Sequence, residues 1–105
     1  MNEKIELERL RSEIAKVTFE ILDLCKKRAE LARKIATVKS RMGLPIENPE
    51  VERNLKRRVL DFCQKKSMHS EFCVDLLNLL INESKRVQEE VMQERSRENT
   101  QKMEG

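Results

Sequence analysis

The sequence predicts an all-α fold of three helices, in which a very long first helix takes part in an intertwined homodimeric helical bundle. The first observation is composition: the 105 residues include only two Gly and two Pro, no Trp or Tyr, and 39% charged residues. Few helix breakers and many Glu, Lys, Arg and Leu residues favour helices. The second observation is that apolar residues recur at steps of three and four, and the third is that two polar interruptions divide the chain into three periodic stretches.

The first stretch predicts one helix from about Glu3 to Met42, because it contains no Gly or Pro. Apolar residues line one face of this helix, with a single cation near the middle. The face consists of Leu7, Leu10, Ile14, Val17, Ile21, Leu24, Arg28, Leu31, Ile35, Val38 and Met42. The helix is expected to stop at Gly43-Leu44-Pro45, because Gly just past a helix end with Pro shortly beyond it is a stop signal.

A second helix is predicted to start at Asn48-Pro49-Glu50, with Asn as the N-cap, Pro in the first helical position and acidic residues in the first turn. Its apolar residues are Val51, Leu55, Val59 and Phe62. Ser70 is predicted to cap a third helix. The stripe of that helix is Cys73, Leu77, Leu80, Ser84, Val87 and Val91. Residues 1–95 are therefore expected to form one helical domain, followed by a polar, frayed tail over residues 96–105.

The length of the first helix predicts a second chain. From Leu7 to Met42 the apolar face extends about 54 Å at roughly 1.5 Å per residue. A compact globule of this chain length would have a radius of gyration of only about 13 Å. Because the face is apolar from end to end, neither end can be left in water. A symmetric homodimer with intertwined first helices is the simplest way to cover it.

Composition and cysteine usage argue against several classes of protein. No apolar run approaches the roughly 20 residues of a membrane span, and Met1 leads into charged sequence rather than a signal peptide. A formal net charge of +3 is small for a nucleic-acid binder. Cys25, Cys63 and Cys73 are expected to be reduced core thiols of a cytoplasmic protein, not a disulfide set or a zinc site.

Arg28 stands at an apolar position of the first helix, where an unpaired permanent cation is costly to bury. Lys39 lies eleven residues later, about 20° around the helix axis, so the two cations face the same space. Ser84 and Gln88 lie one turn apart on the third helix, and Glu52 lies on the second. Two cations against one carboxylate leave positive charge uncompensated. The set therefore predicts a site for a small anionic ligand.

Structural roles remain open for each residue taken singly. Arg28 and Glu52 would form a buried ion pair that sets helix register. Ser84 would bond back to its own helix, and Lys39 would extend to solvent along its stem. Gln88 would mark the edge of a solvated face. Outside this set, the sequence has no glycine-rich phosphate loop, histidine pair, CxxC or nucleophile elbow, so no other chemistry is indicated.

These residues resemble the all-helical (AroQ-type) chorismate mutases. The similarity covers roughly residues 5–92 and rests on an ordered set of residues and motifs. The set is Arg11, Arg28, Lys39, Gly43-Leu44-Pro45-Ile46, Asn48-Pro49-Glu50, Glu52 and Ser84-x-x-x-Gln88. The resemblance implies a homodimer with two active sites that converts chorismate to prephenate in Phe and Tyr biosynthesis. It implies no cofactor and no metal.

The resemblance also implies residue roles. Lys39 and Gln88 would act on the ether oxygen as its bond to the ring breaks, and Arg28 would bind a carboxylate. Such a pericyclic rearrangement needs no nucleophile, general base or metal, but needs a folded substrate conformer and donors aimed at the developing negative charge. The implied substrate-binding residues are Arg11 from the partner protomer, Arg28, Asn48, Glu52 and Ser84. Of these, Glu52 would accept a hydrogen bond from the ring hydroxyl.

Two positions depart from the family pattern. Asn48 stands where Asp is common, and Val51 stands where Arg is common. Loss of the arginine implies weaker carboxylate binding, a repositioned cation or a changed substrate preference. Two alternative functions stay open on the sequence: an isochorismate–pyruvate lyase on the same scaffold, and a non-catalytic helical dimerisation or regulatory module.

Overall fold

The computed structural model describes the backbone of residues 2–104 and the side chains of residues 2–100. It contains three helices, α1 (Asn2–Met42), α2 (Pro49–Lys65) and α3 (Ser70–Glu104), and no strand within residues 2–104. The all-α prediction is confirmed. The protomer measures 72 × 31 × 15 Å, because α1 and α3 are long and lie in a thin layer. None of the helices, over the part of the chain described, is long and apolar enough to cross a membrane.

The end of α1 is fixed by the predicted glycine. Gly43 has a φ of 68°, a left-handed conformation that residues with a Cβ rarely adopt. The Leu44 N–H donates to the Lys39 carbonyl at 2.9 Å, and the Gly43 N–H donates to the Ser40 carbonyl at 3.3 Å. This pair of bonds is a Schellman motif, which satisfies the last carbonyls of the helix. The chain therefore reverses directly after Met42 and passes back beside Lys39.

The N-cap of α2 is the predicted residue, and the N-cap of α3 is not. Asn48 caps α2 as expected, since its Oδ1 accepts from the Val51 N–H at 3.2 Å and Pro49 is the first helical residue. The prediction that Ser70 caps α3 is wrong. Ser70 is already helical, and His69 Nδ1 accepts from the Phe72 N–H at 3.4 Å instead. A ring nitrogen thus replaces the hydroxyl that usually takes this position.

The third helix does not end where its apolar stripe ends. The segment expected to be a frayed tail, residues 96–105, has a helical backbone as far as Glu104. The segment has no Gly or Pro before Gly105 and is rich in Glu, Arg, Gln and Lys. These residues lose little side-chain freedom in a helix, so propensity sustains the helix without a core to pack on.

The cysteine prediction is wrong for two of the three thiols. Cys63 near the end of α2 and Cys73 in the first turns of α3 form a disulfide, with their Cα atoms 6.8 Å apart. Cys25 is free and partly buried. The three cysteines are thus one disulfide and one free thiol. The pairing depends on how α2 packs against α3. The cysteine argument for a reducing, cytoplasmic compartment therefore no longer holds.

The third helix lies between the other two helices, and both pack against it. Its predicted stripe is largely buried, at Cys73, Leu77, Val87 and Val91. The side of α1 that meets α3 carries small residues, of which Ala32 and Ala36 are buried. Small side chains let two helix axes approach closely, so polar residues at either end of this contact can reach across it.

The predicted apolar face of α1 adjoins this side of the helix, and its large apolar residues stay exposed in the single chain. Every one of its ten large apolar residues is exposed: Leu7, Leu10, Ile14, Val17, Ile21, Leu24, Leu31, Ile35, Val38 and Met42. A contiguous apolar surface of this kind marks an interaction site rather than ordinary surface variation.

We predict that reduction of the Cys63–Cys73 disulfide lowers the free energy of unfolding. The bond spans a sequence separation of 10, and closing a loop of that size contributes about 2–3 kcal/mol through the unfolded state. Urea unfolding with and without reductant measures this difference. The double variant Cys63→Ala/Cys73→Ala serves as the control, because reductant should leave its midpoint unchanged. Equal stabilities of oxidised and reduced wild-type protein would contradict the prediction.

Candidate active site

An open cleft of about 410 Å³ lies where α3 faces the second half of α1 and the start of α2. Six of the predicted site residues line it: Arg28, Lys39, Asn48, Glu52, Ser84 and Gln88. Apolar side chains form much of the remaining wall, namely Ile35, Ile46, Val51, Leu55 and Ile81. The residues come from all three helices, so the fold brings together side chains that are as much as 60 positions apart (88 − 28 = 60).

Arg28 is held by neutral acceptors from α3. Its Nη1 donates to the Leu80 carbonyl at 2.8 Å and also donates to Ser84 Oγ. A guanidinium has five N–H groups in a planar fork, so Nε and Nη2 remain for another acceptor. Within the described side chains no acidic group lies within 4 Å of Arg28, and the expected alternative of an Arg28–Glu52 pair is absent there. The guanidinium is therefore held in place but has no counter-charge, which suits a carboxylate ligand.

Lys39 is fixed in the same way. Its Nζ donates to the Ile46 carbonyl at 2.6 Å and to Gln88 Oε1 at 3.0 Å. The Gly43 reversal supplies the first acceptor, since it returns the chain past the end of α1. An ammonium has three N–H groups, so one remains for the cleft. Gln88 is buried, at 7% exposed. Because its Oε1 accepts from Lys39, its amide nitrogen is also available as a donor.

Glu52 is paired with a residue that the sequence analysis did not single out. Lys85 Nζ lies 2.8 Å from Glu52 Oε1 and 3.4 Å from Glu47 Oε1. Hydrogen bonding to Glu52 raises the pKa of Lys85 above its usual value, against the opposing effect of desolvation, so Lys85 stays cationic at neutral pH. The signal was the spacing of Ile81, Lys85 and Gln88, at steps of four and three, which puts them on one helix face.

The two departures from the family pattern have different consequences. Asn48 still caps α2, so its side chain is occupied by the Val51 N–H. Val51 lines the cleft as an apolar residue and offers no charge. The third cation of the cleft comes from Lys85 on α3 instead, which sequence reasoning about α2 could not reveal.

Arg11 is the predicted site residue that does not reach this cleft. It lies in the exposed N-terminal half of α1, whereas the cleft is lined by residues of the C-terminal half of that helix. Over the described part of the chain, no group of three or more His, Cys, Asp and Glu residues is arranged to hold a metal ion. The arrangement as it stands can bind a small dianion and stabilise negative charge that develops beside Lys39 and Gln88.

The fold and cleft define an all-helical protein with an open cleft lined by Arg28 and Lys39, both held by neutral acceptors. The chain belongs to the type II chorismate mutases, since the model of that family matches residues 10–89. It is 27% identical over 94 residues to a chorismate mutase of Methanocaldococcus jannaschii, covering 90% of this chain and 95% of that protein.

Two further relatives are named for different activities. A 4-amino-4-deoxychorismate mutase of Streptomyces venezuelae is 33% identical over 96 residues, covering 91% of this chain and 93% of that protein. A bifunctional chorismate mutase/prephenate dehydratase of Aquifex aeolicus is 46% identical over 55 residues, covering 52% of this chain and 15% of that protein.

We predict that a small dicarboxylate such as malate raises the melting temperature of the wild-type protein and leaves that of Arg28→Met unchanged. A ligand at 100 times its Kd stabilises the folded state by about 2.7 kcal/mol. Without ligand, Arg28→Met should melt at the same or a higher temperature, because it removes an unpaired charge from a partly buried position. Differential scanning fluorimetry measures both effects.

The control for this experiment is Arg86→Met. Arg86 carries the same charge on α3 but pairs with Glu83 and Glu90 at the exposed surface. Its loss should leave the malate effect intact. A full malate effect in Arg28→Met would remove Arg28 from the ligand site.

Proposed function

We propose that this chain is an isomerase that catalyses the Claisen rearrangement of chorismate to prephenate in aromatic amino acid biosynthesis. The observation that carries the proposal is the pair of cations, Arg28 and Lys39, held in one cleft by neutral acceptors, with no carboxylate of the described side chains within 4 Å of either. Membership of the type II chorismate mutases supports the same reaction. The substrate has two carboxylates, an ether oxygen and a ring hydroxyl. The cleft of one chain offers complementary groups for one carboxylate, the ether oxygen and the hydroxyl, and a second chain supplies the cation for the other carboxylate.

Substrate conformation is the first part of the mechanism. Arg28 offers its Nε and Nη2 face to a carboxylate, and Ser84 has its own O–H free because its Oγ accepts from Arg28. Clamping both carboxylates holds the side chain of the substrate over its ring, as the rearrangement requires. Positioning of this kind replaces a search among conformers that would otherwise add to the barrier.

Charge stabilisation is the second part. As the ether C–O bond breaks, electron density grows on the oxygen, and Lys39 supplies its third N–H there. Gln88 adds its amide nitrogen and at the same time fixes Lys39 through the 3.0 Å bond. Both donors are in place before the reaction, so little reorganisation is needed when the charge develops. Glu52 is the charged acceptor of the cleft and accepts a hydrogen bond from the ring hydroxyl, with the backbone near Asn48 beside it.

The active form is a homodimer with intertwined α1 helices. The exposed apolar face of α1 supports this assembly, because ten large apolar residues would otherwise face water. Arg11 lies on the exposed half of that helix. In the dimer it reaches the partner's cleft and binds the second carboxylate, which Arg28 alone leaves uncompensated.

Nothing in the geometry favours the two alternatives. An isochorismate–pyruvate lyase would use a similar set of cations, and product analysis separates salicylate and pyruvate from prephenate. A non-catalytic module would have no use for an unpaired Lys39 beside a buried Gln88. Nucleic acid and membranes are not proposed as partners. The cytoplasmic location stays a prediction from the sequence, without the support of the cysteines.

We expect Lys39→Ala to reduce kcat by about 10²- to 10³-fold, the usual cost of removing a donor from a developing oxyanion. Purified protein is incubated with chorismate, and prephenate is quantified with product identification. Lys65→Ala is the matched control, because Lys65 is exposed at the end of α2 and pairs only with Asp61. Activity of Lys39→Ala equal to that of Lys65→Ala would refute the role of Lys39.

The dimer and its shared site are tested by complementation. Arg11→Ala and Lys39→Ala are each expected to be nearly inactive alone. After unfolding and refolding of an equimolar mixture, half of the dimers are heterodimers, each with one intact site, so activity should recover to about a quarter of wild type. Sedimentation velocity measures assembly in parallel. A folded monomer at micromolar concentration, or a mixture as inactive as its components, would rule out the shared site.

A further inference from the structure

Lys85 is the residue of the cleft that the proposed mechanism leaves without a role. Its side chain is 28% exposed and that of Glu52 is 30% exposed, so the pair is screened from water on most sides. The two residues are 2.8 Å apart, and both line the cleft together with Ser84 and Val51. A rim carboxylate, Glu47, touches the same ammonium at 3.4 Å. Lys85 is therefore held in place by carboxylates, unlike Arg28 and Lys39.

The pair changes the charge that a substrate meets. Without Lys85, Glu52 would present a full negative charge to a ligand that is itself a dianion, and like charges at this distance repel. With Lys85 beside it, Glu52 retains free lone pairs as a hydrogen-bond acceptor, while the net charge of the Glu52–Lys85 pair is close to zero. A neutral donor, such as a hydroxyl, fits this wall without a charge penalty.

A cationic donor fits it poorly. An aliphatic amine is protonated near neutral pH, and an ammonium that bonded to Glu52 would lie within a few ångströms of the Lys85 ammonium. The two cations would compete for one carboxylate. This is the chemical difference between chorismate, which carries a ring hydroxyl, and 4-amino-4-deoxychorismate, which carries an amine in its place.

We infer that Lys85 is a specificity-determining residue which, acting through Glu52, makes the cleft accept the ring hydroxyl and reject the ring amine. The inference rests on the proposed function and deepens it. The amino compound is the substrate named for the Streptomyces venezuelae relative, so it is the relevant competitor to test. Lys85 acts on the substrate by positioning and neutralising Glu52, so it is a positioning residue rather than a catalytic one.

The experiment measures kcat and KM for both compounds with the wild type, Lys85→Met and Lys85→Arg. Methionine keeps the length and removes the charge. We expect Lys85→Met to raise KM for chorismate and to lower KM for the amino compound. The ratio of kcat/KM for chorismate to kcat/KM for the amino compound should fall about 10-fold or more, since a charge at this range shifts such equilibria by about 10-fold to 1000-fold. Lys85→Arg should retain most of the preference for chorismate.

Arg86→Met is the matched control, because it removes the same charge one residue along, where the side chain faces solvent and pairs with Glu83 and Glu90. Its substrate ratio should equal that of the wild type. A merely structural role of Lys85 would lower both kcat/KM values together and leave their ratio unchanged, which would overturn the inference. A wild-type preference for the amino compound would overturn it as well.

Equilibrium binding separates this inference from the proposed function. If the wild type converts neither compound, the proposed reaction fails, and isothermal titration of the two compounds still decides the role of Lys85. Tighter binding of chorismate by the wild type, with that preference reduced in Lys85→Met, supports the inference. Binding that does not distinguish the compounds in either protein, or no binding of either compound, overturns it.

Discussion

Two cations without a carboxylate partner in the described chain are the constraint on which the architecture of the cleft depends. Arg28 and Lys39 are not held by counter-charges but by dipoles, the carbonyls of Leu80 and Ile46 and the polar side chains of Ser84 and Gln88. A dipole fixes a cation in place without neutralising it. The charge therefore remains available to a ligand. The folded state is destabilised in return, because a partly buried charge without a counter-charge is costly.

That arrangement explains why the contact between α1 and α3 is built from alanine. Ala32 and Ala36 lie between Arg28 and Lys39 on the buried side of α1, and both are almost inaccessible to water. Larger residues there would separate the helix axes, and Lys39 Nζ could not reach Gln88 Oε1 at 3.0 Å. The small residues thus contribute little apolar area but set the distance on which the polar contacts depend.

Local signals in the sequence were enough to predict the elements and part of the cleft. The Gly43 stop and the Asn48 cap are set by backbone conformation within a few residues, and helical periodicity put Arg28 and Lys39 on one side of α1. Partners chosen across the fold could not be predicted this way. Pairing of Lys85 with Glu52, rather than Arg28 with Glu52, depends on how α2 and α3 pack, and so does the Cys63–Cys73 bond. The continuation of α3 past Glu94 follows from helix propensity, which sustains a helix even where the apolar pattern has ended.

The exposed face of α1 and the cleft are linked in the proposed dimer. A partner that buries the apolar residues would have to cover about the length of α1, and the proposed substrate would require one further cation for its second carboxylate. A second copy that covers the face necessarily carries its own Arg11 on the same helix. Burial of the face and completion of the cleft would then share one equilibrium, so dissociation would cost both apolar burial and substrate affinity. For this reason we expect saturating substrate to strengthen the dimer by the square of the factor by which dimerisation strengthens binding at each site, because every dimer has two sites.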